Sequence, residues 1–179
     1  MTDNQLAILL REQLLLGFIR QGYTTLPVIE NYQPTTQGRV TEAAVYFHAL
    51  PEQRYGWQHR KRKFNLEENK ITTTESQWML SRFQVYALAP QDPTDLTLPT
   101  AKDLCNLAAM ICNSELFVDA LIKAGAGVHR ITQVRNPYFV NDQGQFEASP
   151  SFDVIISHKR SISDVTPVTE ELIYRAYRF

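Results

Sequence analysis

One stretch, from Glu75 to Ala124, changes from the periodicity of a strand to that of a helix, and this change constrains the fold most. Its first part alternates as a half-buried strand does, with Phe83, Val85 and Ala87 on one side and Arg82, Gln84 and Tyr86 on the other. After a loop that contains three prolines, one apolar stripe has helical spacing: Leu104, Leu107, Ala108 and Ile111. A strand followed by a helix that lies back on the sheet predicts a two-layer fold.

Capping residues mark the ends of the predicted helix. Thr100 is placed to be the N-cap, with Asp103 where a carboxylate can accept from the exposed N–H groups. Around Asn113-Ser114 the sequence permits either a break and restart or one continuous helix. Gly125 and Gly127 are predicted to end it, because glycine adopts the left-handed C′ conformation at little cost.

The composition is ordinary for one globular domain, residues 1–179. Of its 179 residues, 44% are hydrophobic and 21% are charged, so the chain can bury a core without cross-links. The net charge of −1 provides no overall field that would recruit nucleic acid or anionic lipid. On one helix, Cys105 and Cys112 would lie roughly 10 Å apart, too far for a disulfide. We therefore expect both cysteines to be reduced and buried.

The apolar segment from Leu6 to Leu16 is interrupted by the polar run Arg11 to Gln13 and has no basic segment before it. This pattern argues against a signal peptide or a membrane span. It predicts an amphipathic helix that is capped by Asp3 and ended by Gly22. The predicted face of this helix consists of Ile8, Leu9, Glu12, Leu15 and Leu16.

Four further segments are predicted as strands: Leu26 to Tyr32, Ala43 to Ala49, Val128 to Arg135 and Phe152 to Ile156. Pro51 is predicted to end the second of them. Turn chemistry separates strands at Gln33 to Gly38 and at Asn141 to Gly144. Together these elements predict an α+β fold, a single two-layer domain in which a mostly antiparallel β-sheet packs against helices.

Residues 53–76 predict a protruding polar β-hairpin arm. The run His59 to Lys63 is basic, the segment Lys70 to Ser76 is rich in threonine, and the reversal is predicted near Glu67 to Lys70. One interpretation is a solvated edge that is protected by charge. The other is an arm that contacts a neighbouring subunit or lines a pore, because aromatic side chains accompany the charge. The candidate contact residues are Trp57, Arg60, Lys61, Arg62, Lys63 and Phe64.

The final segment, residues 161–179, ends in aromatic and apolar side chains. Free termini usually fray unless they are docked. We therefore predict a C-terminal docking tail that packs on the body or on a partner, with three candidate contact residues: Tyr174, Tyr177 and Phe179.

No sequence pattern carries catalytic or metal chemistry. The four histidines stand in no metal-binding spacing, and the chain has neither a phosphate-binding glycine loop nor a GxSxG elbow. We therefore expect no enzyme activity, no cofactor and no metal. The run His59 to Lys63 could neutralise phosphates, and the flanking aromatic residues could stack on bases. Non-specific contact with DNA stays open, whereas the slightly acidic net charge disfavours sequence-specific recognition.

Several stretches, in their order along the chain, carry a family resemblance. They are MTDNQLAILLREQLLLGF, NYQPTTQG, AAVYFHAL, FQVYAL with the helix start Thr100 to Leu104, and VRNPYFVNDQGQFEASPSFDV. The most distinctive parts are VRNPYFVND and FEASPSFD. Through them the chain, to about residue 160, resembles the neck and tail-terminator proteins of long-tailed bacteriophages, and more closely the phage gateway proteins.

The resemblance implies a structural role in the virion at the head–tail junction. Such proteins form a ring, usually of six subunits, that caps the completed tail tube, meets the connector or collar proteins and leaves a channel for the genome. The implied partners are further copies of this chain, tail-tube or sheath proteins and connector proteins, with DNA in transit and no membrane. The implied location is the neck of the virion, after assembly in the host cytoplasm.

Two other functions stay open. The chain could be another virion component, either a head-completion adaptor ring or a tail-tube protein. A tube protein would form long polymers, whereas a terminator would stop at a ring. It could also be a non-viral binding domain that uses the basic, aromatic hairpin, for which salt-dependent binding to nucleic acid is the test.

Overall fold

Helices pack on one face of a central sheet. The structure, a computed structural model, describes residues 1–30, 42–90, 95, 97–140 and 146–168. Its helices are α1 (Asp3–Arg20), α2 (Ala101–Asn113) and α3 (Glu115–Lys123). Its strands are β1 (Val28–Glu30), β2 (Ala44–Asn65), β3 (Lys70–Leu88), β4 (Ala126–Ile131), β5 (Tyr138–Val140), β6 (Phe146–Ala148) and β7 (Ser151–Pro167).

Five strands form the main sheet, in the order β1-β2-β3-β7-β4. Strand β1 runs parallel to β2, and the other neighbours in this sheet are antiparallel. Strands β5 and β6 form a separate two-stranded ribbon. The predicted α+β fold with a mostly antiparallel sheet is therefore confirmed. The predicted turns at Gln33 to Gly38 and at Asn141 to Gly144 fall outside the described residues.

The core lies between the helices and one face of the sheet, where the predicted alternation is confirmed. Phe47 stands opposite Val85, and Phe83 stands opposite Val154. The rings of Phe47 and Phe83 meet edge to face, with their centroids 6.3 Å apart, a favourable aromatic geometry. The buried apolar residues on this face of the three central strands are Val45, Phe47, Phe83, Val85, Ala87, Phe152, Val154 and Ile156. Ala44 and Tyr86 are buried on the other face.

Helix α1 turns a different face to the core from the predicted one. Ile8 and Leu16, which were placed on the predicted stripe, are exposed. Apolar residues surround much of this helix, so their spacing does not select one face. The residues that are buried are Leu6, Ala7, Leu10, Leu14, Gly17 and Phe18.

The N-cap of α1 is Thr2 rather than the predicted Asp3. The backbone N–H of Gln5 donates to Oγ1 of Thr2 at 3.3 Å, and the backbone N–H of Thr2 donates to Oε1 of Gln5 at 2.9 Å. This reciprocal capping box satisfies two donors at the start of the helix. The carboxylate of Asp3 is used elsewhere, as described below.

The central helix breaks at Ser114, which decides between the two alternatives. The hydroxyl of Ser114 accepts from the backbone N–H of Phe117 at 3.3 Å and so starts α3, which is bent by 54° from α2. Gly125 has φ +81° and follows α3 as predicted. Gly127 does not end the helix, because it already lies in β4.

Strand β2 is much longer than predicted, because it passes Pro51 and continues to Asn65. The pairing register with β3 shifts between Leu50 and Gln53, which marks a bulge. A proline is tolerated at such a place because no ladder hydrogen bond is needed from its nitrogen.

Two predicted strands are shorter than expected. Within the described residues, β1 spans Val28–Glu30, and β4 ends at Ile131 rather than at Arg135. Arg135 pairs with Ser151 in an isolated bridge.

The cap of α2 provides a stability test. The backbone N–H of Asp103 donates to Oγ1 of Thr100 at 3.2 Å, and that of Thr100 donates to Oδ2 of Asp103 at 3.0 Å. We expect Thr100→Ala to lower the free energy of unfolding by about 1 kcal/mol, because the cap is lost. Urea denaturation measures this change. The control Thr100→Ser keeps the hydroxyl and should stay near the wild type, so an equal loss in both variants would contradict the capping argument.

Candidate functional site

An arm of three strands extends beyond the helices. Its predicted hairpin is present, with pairs running from His59 opposite Ser76 to Asn65 opposite Lys70. In the turn, Asn69 has φ +48°, a left-handed conformation that asparagine tolerates better than most residues. Residues 51–64 of β2 are all exposed, so no helix covers this part of the strand.

The third strand of the arm was not predicted. Ser161–Pro167 of β7 pairs antiparallel with Lys70–Ser76 of β3. The sequence signal was the run SISDVT, whose isoleucine, valine and threonine favour strand structure. The predicted docking tail, residues 161–179, therefore begins as a strand of the arm. Its candidate residues Tyr174, Tyr177 and Phe179 lie outside the described residues.

A bulge in β2 projects Trp57 into solvent. The pairing register shifts between Tyr55 and His59, and Gly56 has φ +70°, a conformation that glycine adopts without strain. The side-chain amide of Gln77 donates to the carbonyl oxygens of Tyr55, at 2.7 Å, and Gly56, at 2.9 Å. The bulge is thus held by hydrogen bonds, and it leaves Trp57 97% exposed.

The basic run is divided between the two faces of the arm. Glu75, which stands opposite Arg60, is an even number of residues from the buried Phe83 on the continuous strand β3. Glu75 and Arg60 therefore point, like Phe83, to the side of the sheet that the helices cover. We call this side the helix-side face and the other side the open face. The candidate residues divide accordingly: Arg60, Arg62 and Phe64 on the helix-side face, and Lys61 and Lys63 on the open face.

The helix-side face of the arm combines an ion pair with exposed apolar residues. Glu75 accepts from Arg60 Nε and from Gln58 Nε2, each at 2.6 Å, and Arg60 Nη2 lies 2.5 Å from Oε1 of Glu75. An exposed pair of this kind contributes about 1 kcal/mol or less to stability. Phe64 and Ile162 are exposed on the same face. Apolar anchors beside arginine are typical of protein interfaces.

The open face of the arm is basic and carries hydroxyl groups. Lys61 lies in one row with Thr74 and Ser163, and Lys63 lies beside Thr72. The hydroxyl oxygens of Thr74 and Ser163 are 3.1 Å apart and share a hydrogen bond. Within the described chain neither lysine has an ion-pair partner. None of the paired arm residues on this face is aspartate or glutamate.

A polar cluster joins the base of the arm to the body. The hydroxyl of Ser81 donates to Oε1 of Glu52 at 2.5 Å and lies 2.8 Å from Nε2 of His158, which is fully buried. Arg160 Nη2 donates to the same Glu52 oxygen at 3.1 Å and also to Asp3, in the first turn of α1. This arm-base cluster was missed from sequence, because its members come from four separate elements.

The arm-base cluster does not have the order of a catalytic triad. In such a triad the carboxylate binds the imidazole nitrogen that faces away from the serine. Here Glu52 bonds to Ser81 itself. Nδ1 of His158 has no hydrogen-bond partner within the described residues. Ser81 is also buried, so the cluster is structural.

His158 is held neutral by these neighbours. Because the Ser81 hydroxyl donates its hydrogen to Glu52, it accepts from Nε2–H of His158, and Nδ1 is then unprotonated. Burial lowers the pKa of His158, and the charges of Arg160 and the N-terminal ammonium lower it further, against an opposing effect of Asp3. Glu52 Oε1 lies 3.9 Å from Nε2. It does not reverse this direction, because its charge is already engaged by Ser81 and Arg160.

We expect the free energy of unfolding to fall as the pH drops below the ordinary histidine pKa of about 6.5. The pKa of His158 is lower in the folded state than in the unfolded state. Between these two pKa values the unfolded state binds more protons, so stability falls as the pH decreases from the unfolded-state pKa to the folded-state pKa. His48 also has a lowered pKa, chiefly through burial. Urea titrations between about pH 8 and about pH 5 should therefore show a smaller decline for His158→Gln than for the wild type. Identical declines would contradict this assignment.

Both cysteines are free and buried, as predicted. Burial raises the pKa of both thiols, that of Cys105 to about 12, so they are protonated at neutral pH.

Among the described residues, no group of three histidines, cysteines or carboxylates is placed to hold a metal ion. Within the same residues no single helix is long and apolar enough to cross a membrane. The bent pair α2–α3, taken together, reaches the required length and apolar composition, by those two criteria alone.

Similarity to known proteins covers most of the chain. No curated protein has a matching sequence. Among solved structures, the PVC sheath/tube terminator of an extracellular contractile injection system, in its extended state, is similar at a TM-score of 0.49 and 9% identity. That match covers 100% of this chain and 64% of the other chain. The sequence model of the family described as "E217 gateway protein gp29" matches residues 5–168. The chain therefore belongs to the E217 gateway protein gp29 family and is a structural protein of the bacteriophage neck.

Proposed function

We propose that copies of this chain form a closed ring of six at the phage neck, which caps the tail tube and joins it to the head connector around a channel for DNA. Tail-tube or sheath proteins are then its partners on one side, and connector or collar proteins are its partners on the other. The ring assembles in the host cytoplasm and remains in the virion. Membership of the gateway family supports the location, and the arm supports the contacts between subunits.

The exposed three-stranded arm is the observation that carries this proposal. A narrow ribbon buries little surface and is marginal by itself, yet residues 51–64 are exposed throughout. In the described structure the outer edges of β2 and β7 in the arm have no strand partner. Open edges favour pairing with another chain. A ring needs two different complementary patches on each subunit, and the two edges of the arm provide them.

The helix-side face of the arm is our candidate for contact with a neighbouring subunit. Its Phe64 and Ile162 are exposed apolar side chains, and Arg60 and Arg62 stand beside them. Trp57 lies in the bulge and is almost fully exposed. Tryptophan and arginine are enriched among the residues that dominate interface energies. The proposed docking contacts of the C-terminal tail remain Tyr174, Tyr177 and Phe179.

A stop codon early in the gene tests the proposal. Negative-stain electron microscopy of the lysate should show full heads apart from tails, and tails of abnormal length would show that the protein also terminates the tube. Supplying the intact gene from a plasmid should restore joined particles. Normal joined particles without the protein would overturn the proposed role in head–tail joining.

A further inference from the structure

We infer that the open face of the sheet binds the phosphate backbone of double-stranded DNA without regard to sequence. The inference rests on the proposed function, because a channel through the ring brings DNA to the subunit. The binding surface is one face of the sheet, whereas the basic run His59 to Lys63 is divided between both faces of the arm. The cations that form the binding surface are Lys61, Lys63, Arg82, Arg130 and Lys159.

Strand register places these cations on one surface. On β3, the rows that contain Lys63 and Arg82 are ten residues apart, from Thr72 to Arg82 itself. At about 3.3 Å per residue these rows span roughly 33 Å. This length equals about ten base pairs at ~3.4 Å of rise. Lys159 pairs with Trp78 and therefore lies between these two rows. Arg82 and Arg130 both pair with Ile155 of β7, so Arg130 lies in the same row as Arg82.

The described strands carry little negative charge on this surface, and Glu68, in the turn of the arm, lies 3.3 Å from Lys70. On the paired residues of the main sheet, the one carboxylate of the open face belongs to Asp153, which is buried. Arg135 Nη2 lies 3.5 Å from its Oδ1. On the opposite face Glu75 pairs with Arg60 at 2.5 Å. The charges of Lys61 and Lys63 are therefore available to an outside anion, whereas that of Arg60 is engaged within the arm.

The side chains around the lysines favour phosphate over an acidic protein. Thr72, Thr74, Ser161 and Ser163 stand on the open face of the arm, and their short hydroxyls can donate to phosphate oxygens, as in other DNA complexes. In the described arm beyond Trp78 this face carries no phenylalanine, tyrosine or tryptophan. Two exposed aromatic residues, Tyr55 and Trp78, stand opposite each other on this face at the base of the arm, beside Lys159.

Two matched double substitutions test the inference in the purified full-length protein. Lys61→Gln with Lys63→Gln removes two charges from the open face, and Arg60→Gln with Arg62→Gln removes two from the helix-side face of the same strand. The probe is a fluorescent random duplex of about 30 base pairs, titrated at about 50–200 mM salt. The lysine pair should weaken binding several-fold and reduce the log–log salt slope by about 1.8, which is two contacts at about 0.9 each. The arginine pair should leave the slope near that of the wild type.

Equal losses from the two pairs, or no detectable binding by the wild type at the lowest salt, would overturn the inference. Phage that carry the lysine substitutions separate it from the proposed function. We expect these particles to have joined heads and tails in negative stain. If heads and tails separate while the purified lysine variant binds DNA like the wild type, the open face contacts an acidic protein partner. That outcome overturns the inference and leaves the neck ring standing.

Discussion

Replacing Phe83 with alanine should lower the free energy of unfolding by about 3–5 kcal/mol. Its ring is buried between β3 and the helices, edge to face with Phe47 and opposite Val154 on β7. The substitution removes that apolar surface and leaves a cavity that the sheet cannot close, because β3 is fixed by pairing on both sides. Urea denaturation followed by circular dichroism measures the loss.

The control is Arg82→Ala, one residue earlier on the same strand. Arg82 is exposed on the open face, and a surface substitution of this kind usually changes stability by no more than about 0.5 kcal/mol. The contrast between adjacent positions follows from the two-residue period of the strand. Comparable losses at the two positions would contradict the assigned faces.

Gly17→Ala should also destabilise the protein, through the contact between α1 and α2. A Cβ atom at Gly17 would lie 2.3 Å from Cγ2 and 3.0 Å from Cγ1 of Ile111. Overpacking of this kind costs about 1–3 kcal/mol, whereas alanine gains up to about 1 kcal/mol over glycine in a helix. The clash should prevail, because Ile111 is itself buried. We expect a net loss of roughly 1–2 kcal/mol in urea denaturation.

A double-mutant cycle identifies the cause. Ile111→Ala removes the atoms that clash, so Gly17→Ala should become neutral or stabilising in that background, with a coupling of at least about 1 kcal/mol. Gly127→Ala is a milder comparison, because its Cβ would lie 3.3 Å from the hydroxyl of Ser157, which can rotate. Additive losses in the cycle would assign the effect to something other than this contact.

The parts of the fold that depend on neighbouring residues were predictable from sequence. The cap of α2 needs a hydroxyl and a carboxylate three positions apart, and Thr100 and Asp103 provide them. The hairpin needs two polar strands around a turn, and the register of Asn65 with Lys70 agrees with the predicted reversal. In both cases the deciding interactions lie within a few residues of one another.

The errors arose where distant contacts decide. Helix α1 has apolar residues on several sides, and the position of α2 against Gly17 determines which side is buried. Strand β2 passes Pro51 because β3 pairs with it on both sides of a bulge. Similarly, Ser161–Pro167 becomes a strand by pairing with a segment about ninety residues earlier in the chain.

The candidate site was predicted as a set of residue types but not as a surface. Trp57 and Phe64 were identified because they accompany charge in a polar segment, and the structure leaves both exposed. The division of the basic run follows from the period of a strand once the register is known. The contributions of Ile162 and Lys159 depend on the pairing of β7 with β3, which the spacing of residues within either strand does not indicate.

The continuity of β3 has a mechanical consequence. Its 19 residues belong to both body and arm and span roughly 63 Å at about 3.3 Å per residue. Tension applied along the arm would load its hydrogen bonds with β2 and β7 in shear, many at once, because those bonds lie across the direction of pull. Separating the strands one pair at a time would require a sideways force. Because β3 runs without interruption from the arm into the body, an axial load on the arm passes directly to the core, with no hinge between them.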